Sequence, residues 1–200
     1  MGRGSRLPLN QNSDKKEVEV ILFVGPPGSG KSVQGQLLAA RHDWRWMSAG
    51  QLLRDTHNTA LMEKINMGAL ADDKVVNQVI ADALHRSRDV EHIIMDGYPR
   101  HVDQAKWLID ELPRHERSIQ AVVKLNVSAA EIARRLKIRG RLDDTPEVIS
   151  RRMKDYHHET EPVLDYYKSL GIEIADVDGE GSVGTVHDRI EEVVAKCIPV

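Results

Sequence analysis

Residues 25–32, with the sequence G-P-P-G-S-G-K-S, constrain the fold of this chain more than any other segment. They follow an apolar run at residues 20–24, which predicts a buried strand leading into a loop. Gly28 and Gly30 can adopt backbone conformations that are strained for other residues, so that successive N–H groups turn inward. A loop of this kind between a strand and a helix is typical of sites that bind phosphate groups.

Two side chains of the loop indicate the chemistry of the phosphate site. Lys31 is expected to reach the terminal phosphates of a nucleotide, and the Ser32 hydroxyl is a candidate ligand for Mg²⁺. Amide groups at the start of the following helix add the positive end of a helix dipole. The loop therefore predicts nucleotide binding, but it does not by itself specify a reaction.

The composition argues against several other classes of protein. A length of 200 residues suits a single domain with small insertions. The net charge of −3 and the pI of about 6.3 argue against a general binder of nucleic acids or membrane surfaces. The single cysteine, Cys197, excludes an internal disulfide and a zinc site built from several cysteines.

The start of the chain predicts no export signal. Residues 1–17 are polar and lack the apolar segment of a secretory signal, and no apolar run is long enough to span a bilayer. We expect residues 1–17 to form a disordered tail and residues 18–200 to form one domain. Together with the single cysteine, these features favour a cytoplasmic location.

Alternating strands and helices indicate the fold class. Strands are predicted at residues 18–24, 45–48, 92–96, 120–127 and 172–177. Helices are predicted at residues 72–86, from a capping box at residues 128–131 towards Gly140, from Thr145 to before Gly171, and at residues 182–196. This alternation is typical of an α/β fold with a parallel sheet.

The third predicted strand ends in a carboxylate, Asp96. In phosphate-loop proteins, an aspartate at this position lies beside the loop and holds Mg²⁺ directly or through water. An aspartate that ends a strand is also common as the cap of the following segment. On this residue alone, both interpretations remain open.

Three ordered motifs are similar to those of the adenylate kinase family of nucleoside monophosphate kinases, in its short-lid form. They are G-P-P-G-S-G-K-S-V-Q at residues 25–34, M-S-A-G-Q-L-L-R at residues 47–54 and D-G-Y-P-R at residues 96–100. The resemblance implies reversible transfer of the terminal phosphoryl group of ATP to a nucleoside monophosphate, with Mg²⁺. It also implies a monomer with a P-loop NTP hydrolase-type sheet of five parallel strands, in the order 2-3-1-4-5, flanked by helices.

The resemblance assigns residues to each part of the site. The candidates for ATP binding are Gly28, Ser29, Gly30, Lys31, Ser32, Val33, Arg139 and Gly181. The candidates for binding the acceptor, which we expect to be AMP, are Ala49, Arg54, Ala69, Leu70, Ala71, Gly97, Tyr98, Pro99, Arg100, Gln104, Arg141 and Arg152. The candidate catalytic residues are Lys31, Arg100, Arg135, Arg139, Arg141 and Arg152, and the candidate Mg²⁺ ligands are Ser32 and Asp96, partly through water.

Two mobile segments are implied around these residues. A helical insert at about residues 48–76 would bind the monophosphate, and a short lid at about residues 139–145 would close over the donor. Arg54 and Arg100 would hold the acceptor phosphate from two sides, because a guanidinium group pairs with two phosphate oxygens at once. The resemblance also implies four lid arginines, Arg135, Arg139, Arg141 and Arg152, which would stabilise the charge that spreads over the transferring phosphoryl group.

Several positions depart from the family pattern. Val33 replaces the hydroxyl residue that usually follows the loop, although Ser32 supplies a hydroxyl one position earlier. Ala49 occupies a position where adenylate kinases usually have Thr and where UMP/CMP kinases commonly have Ala. Gln104 favours adenine instead, because its amide can pair with the N1/N6 edge of that base. The lid is also unusually short, since a single residue separates its two central arginines.

Two alternative functions therefore remain open beside an AMP kinase. One is a UMP/CMP kinase, and the other is a weakened family member that binds nucleotides in a non-catalytic role. A guanine-nucleotide switch is disfavoured because the sequence contains no N-K-x-D motif.

Overall fold

The computed structural model describes residues 18–57, 72–140 and 145–197. The strands in these ranges are β1 (Val18–Val24), β2 (Arg45–Ser48), β3 (His92–Asp96), β4 (Arg117–Asn126) and β5 (Glu173–Asp178). The α-helices are α1 (Lys31–His42), α2 (Ala49–Asp55), α3 (Asp73–His85), α4 (Val102–Glu111), α5 (Ala129–Arg139), α6 (Pro146–Asp155), α7 (Glu161–Ser169) and α8 (Val183–Cys197). Within the described ranges, no helix is both long enough and apolar enough to cross a membrane.

The five strands form one parallel sheet in the order β2-β3-β1-β4-β5, which confirms the predicted fold. Alternate residues of β1 face two separate cores, with Leu22 in one and Ile21 and Phe23 in the other. Helices therefore cover both faces of the sheet. Because β1 pairs with β3 and Phe23 lies opposite Asp96, the carboxyl ends of these two strands lie side by side.

The boundaries of β4 and β5 differ slightly from the prediction. β4 begins at Arg117 rather than at residue 120, because Arg117 and Ile119 pair with the start of β1. The register then shifts between Val20 and Ile21, which is the pattern of a β-bulge. β5 ends at Asp178, where it still pairs with the last residue of β4. In both strands, polar residues at the ends obscured the apolar pattern.

The helix predicted from Thr145 to before Gly171 is divided by a π-helical turn at Tyr156–Thr160. Pro162 follows this turn in α7 and has no N–H group for a bond to a carbonyl one turn earlier. The wider turn accommodates the proline without ending the helical path. The predicted start is confirmed, since the Thr145 side chain accepts a hydrogen bond from the N–H of Val148.

The capping box predicted at residues 128–131 is only half correct. The Ser128 hydroxyl accepts a hydrogen bond from the Glu131 N–H at 3.4 Å, as expected. The Ser128 N–H, however, donates to the Glu180 carboxylate at 2.9 Å. The Glu131 carboxylate instead accepts hydrogen bonds from Arg134 and Arg135, and these two arginines lower the pKa of Glu131 to about 2.

Helix α4 is absent from the sequence predictions, although its buried residues have helical spacing. Ala105 and Leu108 are fully buried, and Gln104 lies on the same side of the helix. Five charged or amide side chains in this short segment weaken its apolar pattern. The helix matters for the site because it carries Gln104 inward, directly after the residue 96–100 motif.

Candidate active site

The phosphate loop lies between β1 and α1, as the sequence predicts. Gly28 has φ of 82° and Gly30 has φ of 102°, in the left-handed region where a side chain is strained. Gly30 is the N-cap of α1, so the first amides of the helix face the same space as the loop. The backbone is therefore already arranged to bind an anion.

The Lys31 side chain folds over the loop. Its Nζ atom donates hydrogen bonds to the carbonyl oxygens of Gly25 at 2.6 Å and Pro26 at 2.9 Å. A longer contact of 3.3 Å joins Nζ to the Ser29 hydroxyl. The ammonium group is thus held against the loop itself.

The surroundings of Lys31 weaken its hold on a proton. Desolvation by burial lowers the pKa of Lys31 to about 8 from an ordinary value of 10.5. The Asp96 carboxylate opposes this change, whereas the positive charges of Arg100 and Arg139 add to it. Desolvation and the two arginines therefore outweigh the carboxylate, and a bound anion would stabilise the Lys31 ammonium.

The binding of ATP is expected to become proton-linked above pH 8. Phosphate groups stabilise the Lys31 ammonium. The affinity for ATP should therefore fall by up to about tenfold per pH unit above the pKa that Lys31 has in the protein without ATP. Calorimetry at pH 9 in two buffers of different ionisation enthalpy should detect proton uptake on binding. A Lys31→Arg variant, whose guanidinium stays protonated, should take up fewer protons. Equal proton uptake by the wild type and by Lys31→Arg, or no uptake by either, would contradict the assignment of Lys31 to ATP binding.

The same pKa change links pH to stability. Between pH 8 and pH 10.5, the unfolded chain binds more protons at Lys31 than the folded chain does. This residue therefore contributes increasing stability as the pH rises through that window, while its desolvation cost is fully present below pH 8.

Ser32 and Asp96 form the candidate metal site. The Ser32 hydroxyl donates a hydrogen bond to Asp96 Oδ2 at 2.6 Å, across the paired ends of β1 and β3. Among the described residues, no group of three or more His, Cys, Asp or Glu side chains is placed to hold a metal ion. One hydroxyl and one carboxylate nevertheless fit Mg²⁺, which is usually bound by one or two protein oxygens together with substrate phosphates and water.

A cavity of about 340 Å³ brings most of the predicted site residues together. Its size falls within the range of small-molecule sites. The predicted residues that line it are Lys31, Ser32, Ala49, Arg54, Asp96, Gly97, Tyr98, Pro99, Arg100, Gln104, Arg139 and Arg152. They come from six separate stretches of sequence, so the fold itself assembles this group.

On the α2 side of the cavity, Arg54 is exposed and donates a hydrogen bond to the Gln51 side chain at 2.9 Å. Ala49 is buried at the start of the same helix. Arg100 also lines the cavity, and its Nε atom donates to the Gly97 carbonyl at 3.1 Å. Two guanidinium groups from different segments thus border one space.

Gln104 is 4% exposed and is one of the residues that line the cavity. Its Oε1 atom accepts a hydrogen bond from the Arg100 N–H at 2.8 Å. Its Nε2 atom donates to Asp73 Oδ1, also at 2.8 Å. Both ends of the amide are therefore held by neighbouring residues.

The predicted lid arginines separate into two groups. Arg139 and Arg152 line the cavity. Arg135 is not among the lining residues, and its guanidinium instead donates to the carbonyl oxygens of Ser29 at 3.0 Å and Gly179 at 2.8 Å. Arg135 thus connects the phosphate loop to the segment between β5 and α8.

The charges of Arg100 and Arg152 influence each other. Desolvation and the positive charge of Arg152 lower the pKa of Arg100, whereas Asp96 and Asp155 raise it. Arg100 is nevertheless an exposed residue, so its guanidinium remains charged throughout the physiological range. A phosphate group placed between the two arginines would relieve their repulsion.

Other predicted residues lie at the border of the cavity or outside the described residues. Val33 is 49% exposed on α1, and Gly181 has φ of 113° just before α8. Neither lines the cavity, and the same is true of Gly28, Ser29 and Gly30. Arg141, Ala69, Leu70, Ala71 and residues 1–17 lie outside the described residues, as do parts of the predicted insert and lid.

The sequence analysis missed a further wall of the cavity. Asp155, Tyr156, Glu159 and Thr160 line it from the end of α6 and the π-helical turn. The Thr160 hydroxyl donates to the Arg100 carbonyl at 2.8 Å. The only available signal was the proline two residues later, which indicates a break in the helix but not its position beside the cavity.

Comparison with known proteins shows the family to which the chain belongs. The family model described as adenylate kinase matches residues 23–172. The chain belongs to the adenylate kinase family. This result confirms the family and the enzyme class predicted from the motifs, and the protein is a phosphotransferase of the nucleoside monophosphate kinase type.

Several bacterial relatives in the adenylate kinase family align with nearly the whole chain. The adenylate kinase of Synechococcus sp. (strain WH7803) is 36% identical over 181 residues, which are 88% of this chain and 98% of the relative. The adenylate kinase of Mycobacterium sp. (strain MCS) is 38% identical over 182 residues, covering 88% and 99% of the two chains. That of Micrococcus luteus is 37% identical over 186 residues, covering 87% and 89%.

Proposed function

We propose that this kinase transfers the terminal phosphoryl group of ATP to AMP, reversibly and with Mg²⁺, so that two ADP molecules form. The observation that carries the proposal is that Lys31 of the phosphate loop and Gln104 line one cavity. Arg54 and Arg100 border the same cavity. The relatives are adenylate kinases by name, which agrees with AMP as the acceptor.

The donor would lie on the phosphate loop. The residues proposed to bind ATP are Gly28, Ser29, Gly30, Lys31, Ser32, Val33, Arg139 and Gly181. Support comes from the positive φ angles of Gly28 and Gly30 and from the Lys31 ammonium held by two carbonyls of the loop. Val33 would contribute its backbone N–H, for which its exposed apolar side chain is no obstacle.

The acceptor would lie on the opposite side of the cavity. We propose that Arg54, Arg100 and Arg152 bind its phosphate and that Gln104 binds its base, next to Ala49 and residues 97–99. The supporting observation is that these side chains come from α2, the segment after β3, α4 and α6 and yet border one cavity. Ala69, Leu70, Ala71 and Arg141 belong to the same proposal on the basis of the sequence motifs.

Ser32 and Asp96 would hold Mg²⁺, partly through water. When bound, the ion supplies positive charge to the phosphate oxygens that both nucleotides present. The protein's own contribution is the 2.6 Å pairing of hydroxyl and carboxylate, which fixes two oxygen ligands beside the loop.

Catalysis would depend on positioning and charge rather than on a protein base, because the acceptor phosphate is already an anion. Lys31, Arg100, Arg139, Arg141 and Arg152 would stabilise the charge on the phosphoryl group during transfer. Arg135 would act indirectly, by holding the Ser29 carbonyl of the loop. Closure of an insert at about residues 48–76 and a lid at about residues 139–145 would exclude water and prevent simple hydrolysis of ATP.

A second candidate acceptor is UMP or CMP, and Ala49 is the observation that favours it. Ala49 is buried and lines the cavity, so the site lacks the hydroxyl that a threonine would present there. AMP remains the preferred acceptor, because hydrogen bonds to a base edge discriminate between ligands more strongly than one missing methyl or hydroxyl group. We further propose that the kinase is a monomer, that it acts in the cytoplasm and that it serves nucleotide homeostasis.

A panel of acceptors tests the choice of AMP. ATP and Mg²⁺ are mixed with AMP, UMP, CMP or GMP, and each diphosphate product is quantified chromatographically. We expect kcat/KM for AMP to exceed that for each other acceptor by at least about tenfold. A higher value for UMP or CMP would assign the protein to the second candidate, whereas no diphosphate from any acceptor would support a non-catalytic role.

A further inference from the structure

The position of Asp73 follows from the local structure of α3. Asp72 is the N-cap of this helix, and its carboxylate accepts a hydrogen bond from the Lys74 N–H at 2.9 Å. Asp73 is therefore the first residue of the helix, where a negative charge is favoured by the helix dipole. The same helix is joined to the residue 96–100 segment through Asn77, whose side chain accepts a 2.6 Å hydrogen bond from the Tyr98 hydroxyl.

Asp73 accepts two hydrogen bonds on one oxygen. Gln104 Nε2 donates to Asp73 Oδ1 at 2.8 Å, and His101 Nε2 lies 3.0 Å from the same atom. The Asp73 side chain is 45% exposed, whereas Gln104 is buried. The histidine thus helps to hold a partly exposed carboxylate against a buried amide.

The two partners of Gln104 determine which way its amide points. The Arg100 N–H is only a donor and must face Oε1, whereas the Asp73 carboxylate is an acceptor and must face Nε2. Rotating the amide by 180° would place an NH₂ group against an N–H and a carbonyl against a carboxylate. Since the amide is buried, both mismatches would be costly.

A fixed amide has a fixed preference for the base that it contacts. Gln104 has one remaining N–H and one remaining lone pair for a ligand. They match a base edge that offers a ring nitrogen as acceptor beside an amino group as donor. Adenine has such an edge at N1 and N6, whereas hypoxanthine has the opposite pattern, with N1–H as donor and O6 as acceptor.

We propose that Asp73 is a specificity-determining residue, which orients the Gln104 amide to accept 6-amino purine monophosphates and to reject 6-keto ones. The inference rests on the proposed function, because it places the acceptor base beside Gln104. Asp73 acts through Gln104 and is therefore a positioning residue. The same polarity would favour the 4-amino edge of cytosine over the 4-keto edge of uracil among pyrimidines.

AMP and inosine monophosphate provide the test, because the two purines have nearly the same shape and opposite edges. With ATP and Mg²⁺, the wild-type protein should have a kcat/KM ratio for AMP over inosine monophosphate of about 100 or more. Asp73→Leu, which cannot accept a hydrogen bond, should lower this ratio by roughly tenfold, the equivalent of one hydrogen bond. Asp73→Asn keeps an acceptor oxygen and should retain most of the wild-type ratio.

Asp82→Leu is the matched control for the loss of a carboxylate. Asp82 lies on the same helix and accepts a 2.9 Å hydrogen bond from the Gln78 side chain, and neither residue lines the cavity. The kcat/KM ratio of Asp82→Leu for AMP over inosine monophosphate should equal that of the wild type. A purely structural role of Asp73 would lower stability and affect both acceptors equally, so an unchanged ratio in Asp73→Leu would overturn the inference.

The wild-type measurement keeps the inference testable even if Asp73→Leu fails to fold. A wild-type protein that uses inosine monophosphate as well as AMP would overturn the inference while leaving phosphoryl transfer intact. If neither purine is phosphorylated, the proposed function fails, and the inference fails with it. The two failures are therefore distinguishable.

Discussion

Replacing Lys31 by methionine is expected to lower kcat/KM for the transfer from ATP by about 10³-fold or more. The ammonium group is held by two carbonyls, at 2.6 and 2.9 Å, of the loop that would receive the donor phosphates. Charge placed in advance where the transition state needs it is usually the largest contribution to catalysis of phosphoryl transfer. Methionine fills similar volume but supplies no charge.

The stability of the Lys31→Met variant should change little. The substitution removes hydrogen bonds worth about 1 kcal/mol each, but it also removes the desolvation cost that lowers the pKa of Lys31. The Tm of the variant should therefore remain close to that of the wild type. Lys106→Met is the matched control, because Lys106 is exposed, does not line the cavity and pairs with Asp103 on the same helix. A loss of less than tenfold in Lys31→Met would contradict the assigned role.

Replacing Arg152 by alanine should lower kcat by about 10²- to 10³-fold. Arg152 lines the cavity from α6, and its charge acts on Arg100 across the space that we assign to the transferring phosphoryl group. Because the interaction would be strongest in the transition state, the loss should appear in kcat more than in the KM for ATP.

Arg151→Ala provides the comparison for the Arg152 variant. Arg151 precedes Arg152 on the same helix but is exposed and is not part of the cavity wall. Its removal should change kcat by less than about threefold, since exposed charges contribute little. Near-normal turnover in Arg152→Ala would contradict both the catalytic role of Arg152 and the lid assignment.

The parts of the fold that were predictable from sequence are those with strong local signals. The residue 25–32 loop required positive φ angles at Gly28 and Gly30, and both are found. The apolar runs predicted all five strands, two of them with small errors at their ends. The strand order, which the structure confirms, could not be predicted from the spacing of the strands. It came from the family resemblance.

The parts that were not predictable depend on distant contacts. Arg135 was assigned to the lid with its neighbours on α5, but its guanidinium binds Gly179, which is 44 residues away in sequence. The π-helical turn places Thr160 against the Arg100 carbonyl, 60 residues away. The hydrogen bond that orients the Gln104 amide is likewise accepted by Asp73, which lies on another helix, 31 residues earlier. No local pattern contains these pairings.

The most direct test of the central claim is the product stoichiometry in a mixture of ATP, AMP and Mg²⁺, followed by phosphorus NMR. The account predicts that ATP and AMP disappear in equal amounts, that two ADP form for each pair consumed, and that the reaction reverses when ADP alone is supplied. Formation of ADP and inorganic phosphate with AMP unchanged would contradict it, because the protein would then hydrolyse ATP without using the facing site.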